Sequence, residues 1–242
     1  MTCKEGADWL LPTILSTTAG STDVISFLAL GGLFTAHITG NLVILAAHYV
    51  TGKFGQFGPL LSVPVFIVVL GLVTFASVAR PTPTARRAML ILQAVFLICF
   101  LGFAVAFGPF PNPDSAIAVF TGMLGVVAMA IQNGVVRQAL PGSPGTAVMT
   151  TNITRATVDL ATLARGHAVG KGRLQIRHRA NVTLLSVVGF MVGVILGALL
   201  QIHFGAWSLA LPVLLAAISI PLGESWGVLS ETLPTGNTPA RE

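Results

Sequence analysis

Six apolar runs, beginning near Trp9, Leu60, Ala88, Ala116, Val182 and Ala206, leave this chain few ways to fold. Several reach the roughly 20 residues that a helix needs to cross a bilayer core. Within hydrocarbon only helices and closed barrels satisfy their own backbone polar groups. Charged residues make up 9% of the 242 and hydrophobic ones 54%, whereas about a quarter of a soluble domain is charged. The fold class is therefore all-α and polytopic, with the lipid bilayer as the chain's first partner. The first apolar run has no small-residue cleavage site before its polar continuation and reads as a retained helix. Cys3 in the polar N-terminal tail and Cys99 inside an apolar run give no basis for a disulfide framework. A net charge of +5 raises nucleic acid as a partner, but the basic residues cluster in short loops between apolar runs. Membrane topology explains them better, and no nucleic-acid partner is expected.

Two shorter segments carry polar side chains inside apolar sequence, Phe34 to Val50 and Met149 to Ala164. With Thr35 set against Thr150, the residues Thr35, Ile38, Thr39, Val43, Leu45 and Ala46 each meet an identical residue in the second segment. At that register Arg155 stands where the first copy has Gly40. The first copy follows Gly31-Gly32, where glycine disfavours helix. The polar patch Ser16 to Asp23 is expected to interrupt the first crossing. The most basic loop is read as holding Arg165, Lys171, Arg173, Arg177 and Arg179, and a shorter basic loop holds Arg80, Arg86 and Arg87.

If all eight apolar segments crossed, these two loops would lie on opposite faces of the membrane. If the two short segments are re-entrant, about six full crossings remain. Both basic loops and both termini then fall on the cytoplasmic side with Lys4, and Lys53 faces the other side. Each half then has an odd number of crossings, so the second half runs inverted, a recurrent plan among transporters. The halves are placed at 1–110 and 111–223, with 224–242 a flexible Gly/Pro/Thr/Ser-rich tail, all within one integral membrane domain.

In Gly20, Asp23, Phe27, Gly31-Gly32, Phe34, Thr39-Gly40-Asn41 and the later Gln132-Asn133, the chain resembles the YoaK-type family of uncharacterised bacterial multi-pass inner-membrane proteins. The resemblance covers nearly the whole chain. It implies a multi-pass protein of the bacterial inner (plasma) membrane and supplies no activity.

Asp23, Arg155 and Asp159 are the charged residues well inside apolar segments. Each would cost about 2.5 to 3.5 kcal/mol at the bilayer centre if left unpaired. Arg155 and Asp159, four apart, suit a helical ion pair, and Asn152 shares their face. Asp23 is expected to pair with Arg155, to accept a proton, or to serve structurally, hydrogen-bonded between helices. His37, Asn41 and His48 are expected to form one polar stripe, with His37 and His48 too far apart to share a metal. A metal held by His37, Asp23 and a third ligand is a minor alternative, and no metal or other cofactor is expected. No hydrolase, phosphate-loop or dinucleotide fingerprint appears, so an enzyme is not expected. The candidate substrate-binding set is Asp23, His37, Thr39, Asn41, Gln132, Asn133, Asn152, Arg155 and Asp159. The expected function is secondary transport of a small polar or anionic solute, with proton coupling and a homo-oligomer both compatible. A membrane scaffold or sensor and a small-solute channel stand as alternatives.

Overall fold

The computed structural model of the chain describes residues 9–52, 56–78, 83–139, 143–166 and 170–231. Cys3, Lys4, Lys53, Arg80 and residues 232–242, all used in the sequence reading, lie outside them. The described elements are α1 (Leu10–Ala29), α2 (Ile38–Thr51), α3 (Phe57–Val78), α4 (Pro83–Phe107), α5 (Ala116–Ala139), α6 (Met149–Ala164), α7 (Lys171–Phe204) and α8 (Ala210–Glu231), with a 3-10 turn at Gly205–Leu209. Among the described residues, four stretches are long and apolar enough to span a membrane: Phe57–Ala76, Thr84–Phe107, Ala116–Arg137 and Gly172–Gly223, the last holding both α7 and α8.

The innermost helix, α1, carries a polar patch. The patch at Ser16 to Asp23 does not interrupt α1, because four of its five hydroxyls return to the helix's own carbonyls, Ser16 being the exception. Thr17, Thr18 and Thr22 bond the carbonyls of Thr13, Ile14 and Thr18, and Ser21 and Ser26 do the same three residues back. Short side chains then allow a close approach to α7. Gly189, Gly193 and Gly197, spaced by one turn, lie on Thr13, Thr17 and Ser21, and a Cβ at Gly193 would collide with the Thr17 carbonyl. This is the small-residue packing that joins helices in lipid, where apolar burial supplies little drive. Because the paired positions rise together, α1 and α7 run parallel.

Helices α1 and α5 run oppositely. The Leu15 carbonyl near the start of α1 accepts from Gln132 near the end of α5, while Leu30 just past α1 lies against Gly122 near the start of α5. Helices α4 and α8 are also antiparallel, with Leu90 against Gly223. One end of the molecule therefore gathers Leu11 and Leu15 of α1, Leu90 of α4, Val135 and Val136 of α5, and Ile220 and Leu222 of α8. The neighbours repeat between halves. Helix α1 packs on α7 as α5 packs on α3, α2 on α3 as α6 on α7, and α4 on α5 as α8 on α1.

Helix α2 has 14 residues and α6 has 16, roughly 21 and 24 Å against a core of about 30 Å. After α1 the chain doubles back. Gly31 takes φ 64°, and the Gly32 amide closes on the Phe27 carbonyl at 3.0 Å, the left-handed glycine ending that stops a helix. Residues 35–37 then return beside Asp23, and α2 runs back so that Ile44 and His48 lie near Gly32. Residues 34–37, read as helix from sequence, are non-helical. The basic loop read from Arg165 to Arg179 is also revised, since Lys171, Arg173, Arg177 and Arg179 occupy the first turns of α7, a helix of 34 residues. At roughly 51 Å it exceeds the bilayer core, which leaves room for its charged turns beyond the hydrocarbon. The last apolar run, read from Ala206, is divided into the 3-10 turn and α8.

Candidate functional site

Asp23, 2% exposed, is the anchor of the first break. One carboxylate oxygen accepts from the Thr35 amide at 2.8 Å, the Thr35 hydroxyl at 3.1 Å and the Ala36 amide at 2.6 Å. The other accepts from the His37 amide at 3.2 Å and pairs with His37 Nδ1. A buried carboxylate requires such partners, and here backbone amides supply most of them. Asp23 is not paired with Arg155. Among the described residues no third metal-binding side chain joins Asp23 and His37.

Asn41 closes the same break. Its Oδ1 accepts from the Phe34 amide at 2.8 Å, and its Nδ2 donates to the Phe34 carbonyl and to Ser62 Oγ, both at 2.7 Å. Asn152 repeats part of this, donating at 2.7 Å to the Gly145 carbonyl, seven residues back in each case. Asn41 and Asn152 are each the fourth residue of a short helix. The structural correspondence is therefore 111 residues (152 − 41), one helical turn from the 115 (150 − 35) read from the sequence. At the corrected register Thr35-Ala36, Thr39 and Asn41 meet Thr146-Ala147, Thr150 and Asn152, and Arg155 replaces Ile44 rather than Gly40. A shift of four residues keeps nearly the same helix face, which is why six identities survive in the wrong register. The break threonines are held alike: Thr35 by Asp23, and Thr146 by Gln132, whose Nε2 lies 3.0 Å from its hydroxyl. Gln132 Oε1 accepts from Gln93 at 2.7 Å.

The starts of α2 and α6 meet at one half-open cavity of about 590 Å³. His37, Ile38 and Thr39 line it from the first, Thr151, Asn152 and Arg155 from the second, Asn133 and Arg137 from α5, and Phe66 and Leu70 from α3. Of the predicted set, His37, Thr39, Asn133, Asn152 and Arg155 reach this cavity. Asp23, Asn41 and Gln132 sit behind it and shape its walls. Asp159 lies elsewhere, in a shallower groove of about 410 Å³ between α6 and α7. The expected Arg155–Asp159 pair is replaced by a two-point pair with Arg179, whose Nε donates at 2.8 Å to one Asp159 oxygen and whose second nitrogen meets the other. Asp159 turns inward, 3% exposed, toward α7, where a planar guanidinium fork fits both oxygens; Arg155 faces the cavity and the groove instead. The predicted stripe also fails at its first member, because His37 caps α2 from outside with ψ 65°. Arg137, Ser143 and Thr151 were missed as lining residues. Arg137 was legible only as a charge closing an apolar run.

Fold and site define a multi-pass membrane protein with a polar cavity at the meeting point of two short helices. The chain belongs to the family described as Protein of unknown function (DUF1275), whose model matches residues 11–221. It is similar to the UPF0700 transmembrane protein YoaK of Bacillus subtilis (strain 168), at 26% identity over 214 residues, covering 85% of this chain and 89% of the relative. No solved structure matches the chain. Its location is the bacterial inner (plasma) membrane.

Proposed function

We propose that the protein is a secondary transporter of a small anionic solute rather than an enzyme, and that the cavity between the α2 and α6 starts is its binding site. One observation carries this reading: two helix N-termini converge on a cavity lined by Arg137 and Arg155, with no carboxylate among its described lining residues. Each N-terminus carries about half a positive charge and unpaired amides, and guanidinium forks suit carboxylate or phosphate-like oxygens. Discontinuous helices aimed at mid-membrane recur in carriers. The antiparallel α1–α5 and α4–α8 pairs and the exchange of neighbours between halves support inverted repeats. The start of α4 lies at the same end as the start of α1, which favours six crossings, with α2 and α6 re-entrant.

Purified protein in liposomes, offered labelled phosphate, sulfate, acetate and succinate beside neutral sugars and amines, tests this reading. Selective anion uptake, reduced at least ~10-fold in Arg155→Gln and Arg137→Gln, is the expected result; a single lost charge-assisted contact is worth about 1.5 to 3 kcal/mol. Uptake indifferent to solute charge or to both arginines contradicts it.

A further inference from the structure

We propose that His37, positioned by Asp23, is the proton site of this transporter, so that an anion and a proton occupy the cavity together. The inference rests on the anion reading of the cavity and adds its coupling ion and the residue that binds it. The sequence left proton acceptance by Asp23 as one of several roles for that residue. The structure places Asp23 behind the cavity wall, with both oxygens engaged by the 35–37 backbone, the Thr35 hydroxyl and His37 Nδ1. His37 reaches the cavity while its Nδ1 is engaged by Asp23. The His37 side chain is 30% exposed and lines the cavity. Its Nε2 has no hydrogen-bond partner among the described residues, yet it is not a buried unsatisfied atom. Phe34 and Phe190 meet the ring edge-on, at centroid distances of 6.2 and 5.3 Å, and hold its plane.

A carboxylate on Nδ1 fixes the neutral ring as the Nδ1–H tautomer and leaves the Nε2 lone pair as the base. The step is a simple protonation: the Nε2 lone pair takes a proton from hydronium, leaving water, imidazole becomes imidazolium, and nothing is oxidised or reduced. The groups that bias it can be named by element. Asp23 on α1 favours the charged ring, while Arg137 on α5 and Arg155 on α6 share the cavity and oppose it; α3 presents Phe66 and Leu70, and α7 presents Phe190. An anion seated between the arginines removes that opposition. Anion binding therefore promotes protonation of His37, and by linkage protonation tightens anion binding by the same factor.

The test uses the full-length protein in detergent with sulfate and methanesulfonate as probes, neither of which titrates between about pH 5 and 8, where histidine does. Calorimetry in two buffers of different ionisation enthalpy counts protons taken up on binding, and nitrogen NMR of labelled histidine reads the His37 tautomer. His37→Asn keeps a donor for Asp23 but cannot take the proton, and a thermal melt confirms that it folds; Asp23→Glu is the second variant. Wild type is expected to show the Nδ1–H tautomer, to protonate at higher pH when anion is added, and to bind roughly ten-fold tighter at low pH, within the usual range of coupling. His37→Asn is expected to bind anion with neither proton uptake nor pH dependence. Arginine-dependent binding with no proton uptake in wild type, uptake that persists in folded His37→Asn, or an Nε2–H tautomer overturns the proton site and leaves the anion reading standing. Absence of binding by either probe, or binding indifferent to Arg137→Gln and Arg155→Gln, overturns both.

Discussion

Asp159 shows what a single residue reveals in sequence and what it conceals. A carboxylate inside an apolar run had to find a partner, and that need was legible. The helical spacing pointed to Arg155, because local sequence shows only neighbours on the same helix. The actual partner, Arg179, is twenty residues away on α7. A double-mutant cycle decides between them. Asp159 with Arg179 should show a coupling of about 0.5 to 1 kcal/mol or somewhat more, since the arginine is half exposed and surface pairs are weak. Asp159 with Arg155 should show none within error. Significant coupling only in the second cycle would contradict the assigned pair. Asp23 was hidden differently: its partners are mostly backbone amides of residues 35–37, and an amide has no side-chain signature to read.

Among the elements, α6 was legible to the residue, from Met149 to Ala164, because its polar face alternates cleanly with apolar positions. Helix α2 begins four residues later than its apolar run, since Asp23 and Asn41 draw the backbone of residues 34–37 out of helix. The α1–α7 contact was not anticipated, although Gly189, Gly193 and Gly197 at one-turn spacing were visible in the sequence. They sit inside an apolar run that a reading by hydropathy treats as uniform. That contact makes a specific prediction. Gly193→Val should drive a side chain into the Thr17 carbonyl and destabilise the protein by at least about 1 to 3 kcal/mol, seen as a lowered detergent melting temperature and loss of monodisperse protein. Gly71→Val is the control, because a Cβ there meets nothing within 4 Å. Equal losses from both substitutions would mean that α1 and α7 do not approach this closely.

At the scale of the whole molecule, the membrane class followed from hydropathy and charge alone, and weak self-similarity pointed to two related short segments. A shared site for the two segments was an expectation from sequence, but which residues line the cavity was not readable, because that depends on how α1, α3, α5 and α7 cross. Six crossings predict that cysteines placed at Thr84 and Gly172 react from the cytoplasmic side in intact cells and inverted vesicles. Labelling from opposite sides would require a different topology. The convergence of the α2 and α6 starts has its own direct test. In a background lacking native cysteines, Thr39→Cys and Thr151→Cys lie on opposite halves yet line the same cavity. Reaction rates with a negatively charged thiosulfonate reagent, measured with and without sulfate, report whether water and anions reach both. Both positions are predicted to react, and sulfate is predicted to slow both together. Reaction at one position alone, or at both without common protection, would contradict a single anion cavity built from the two short helices.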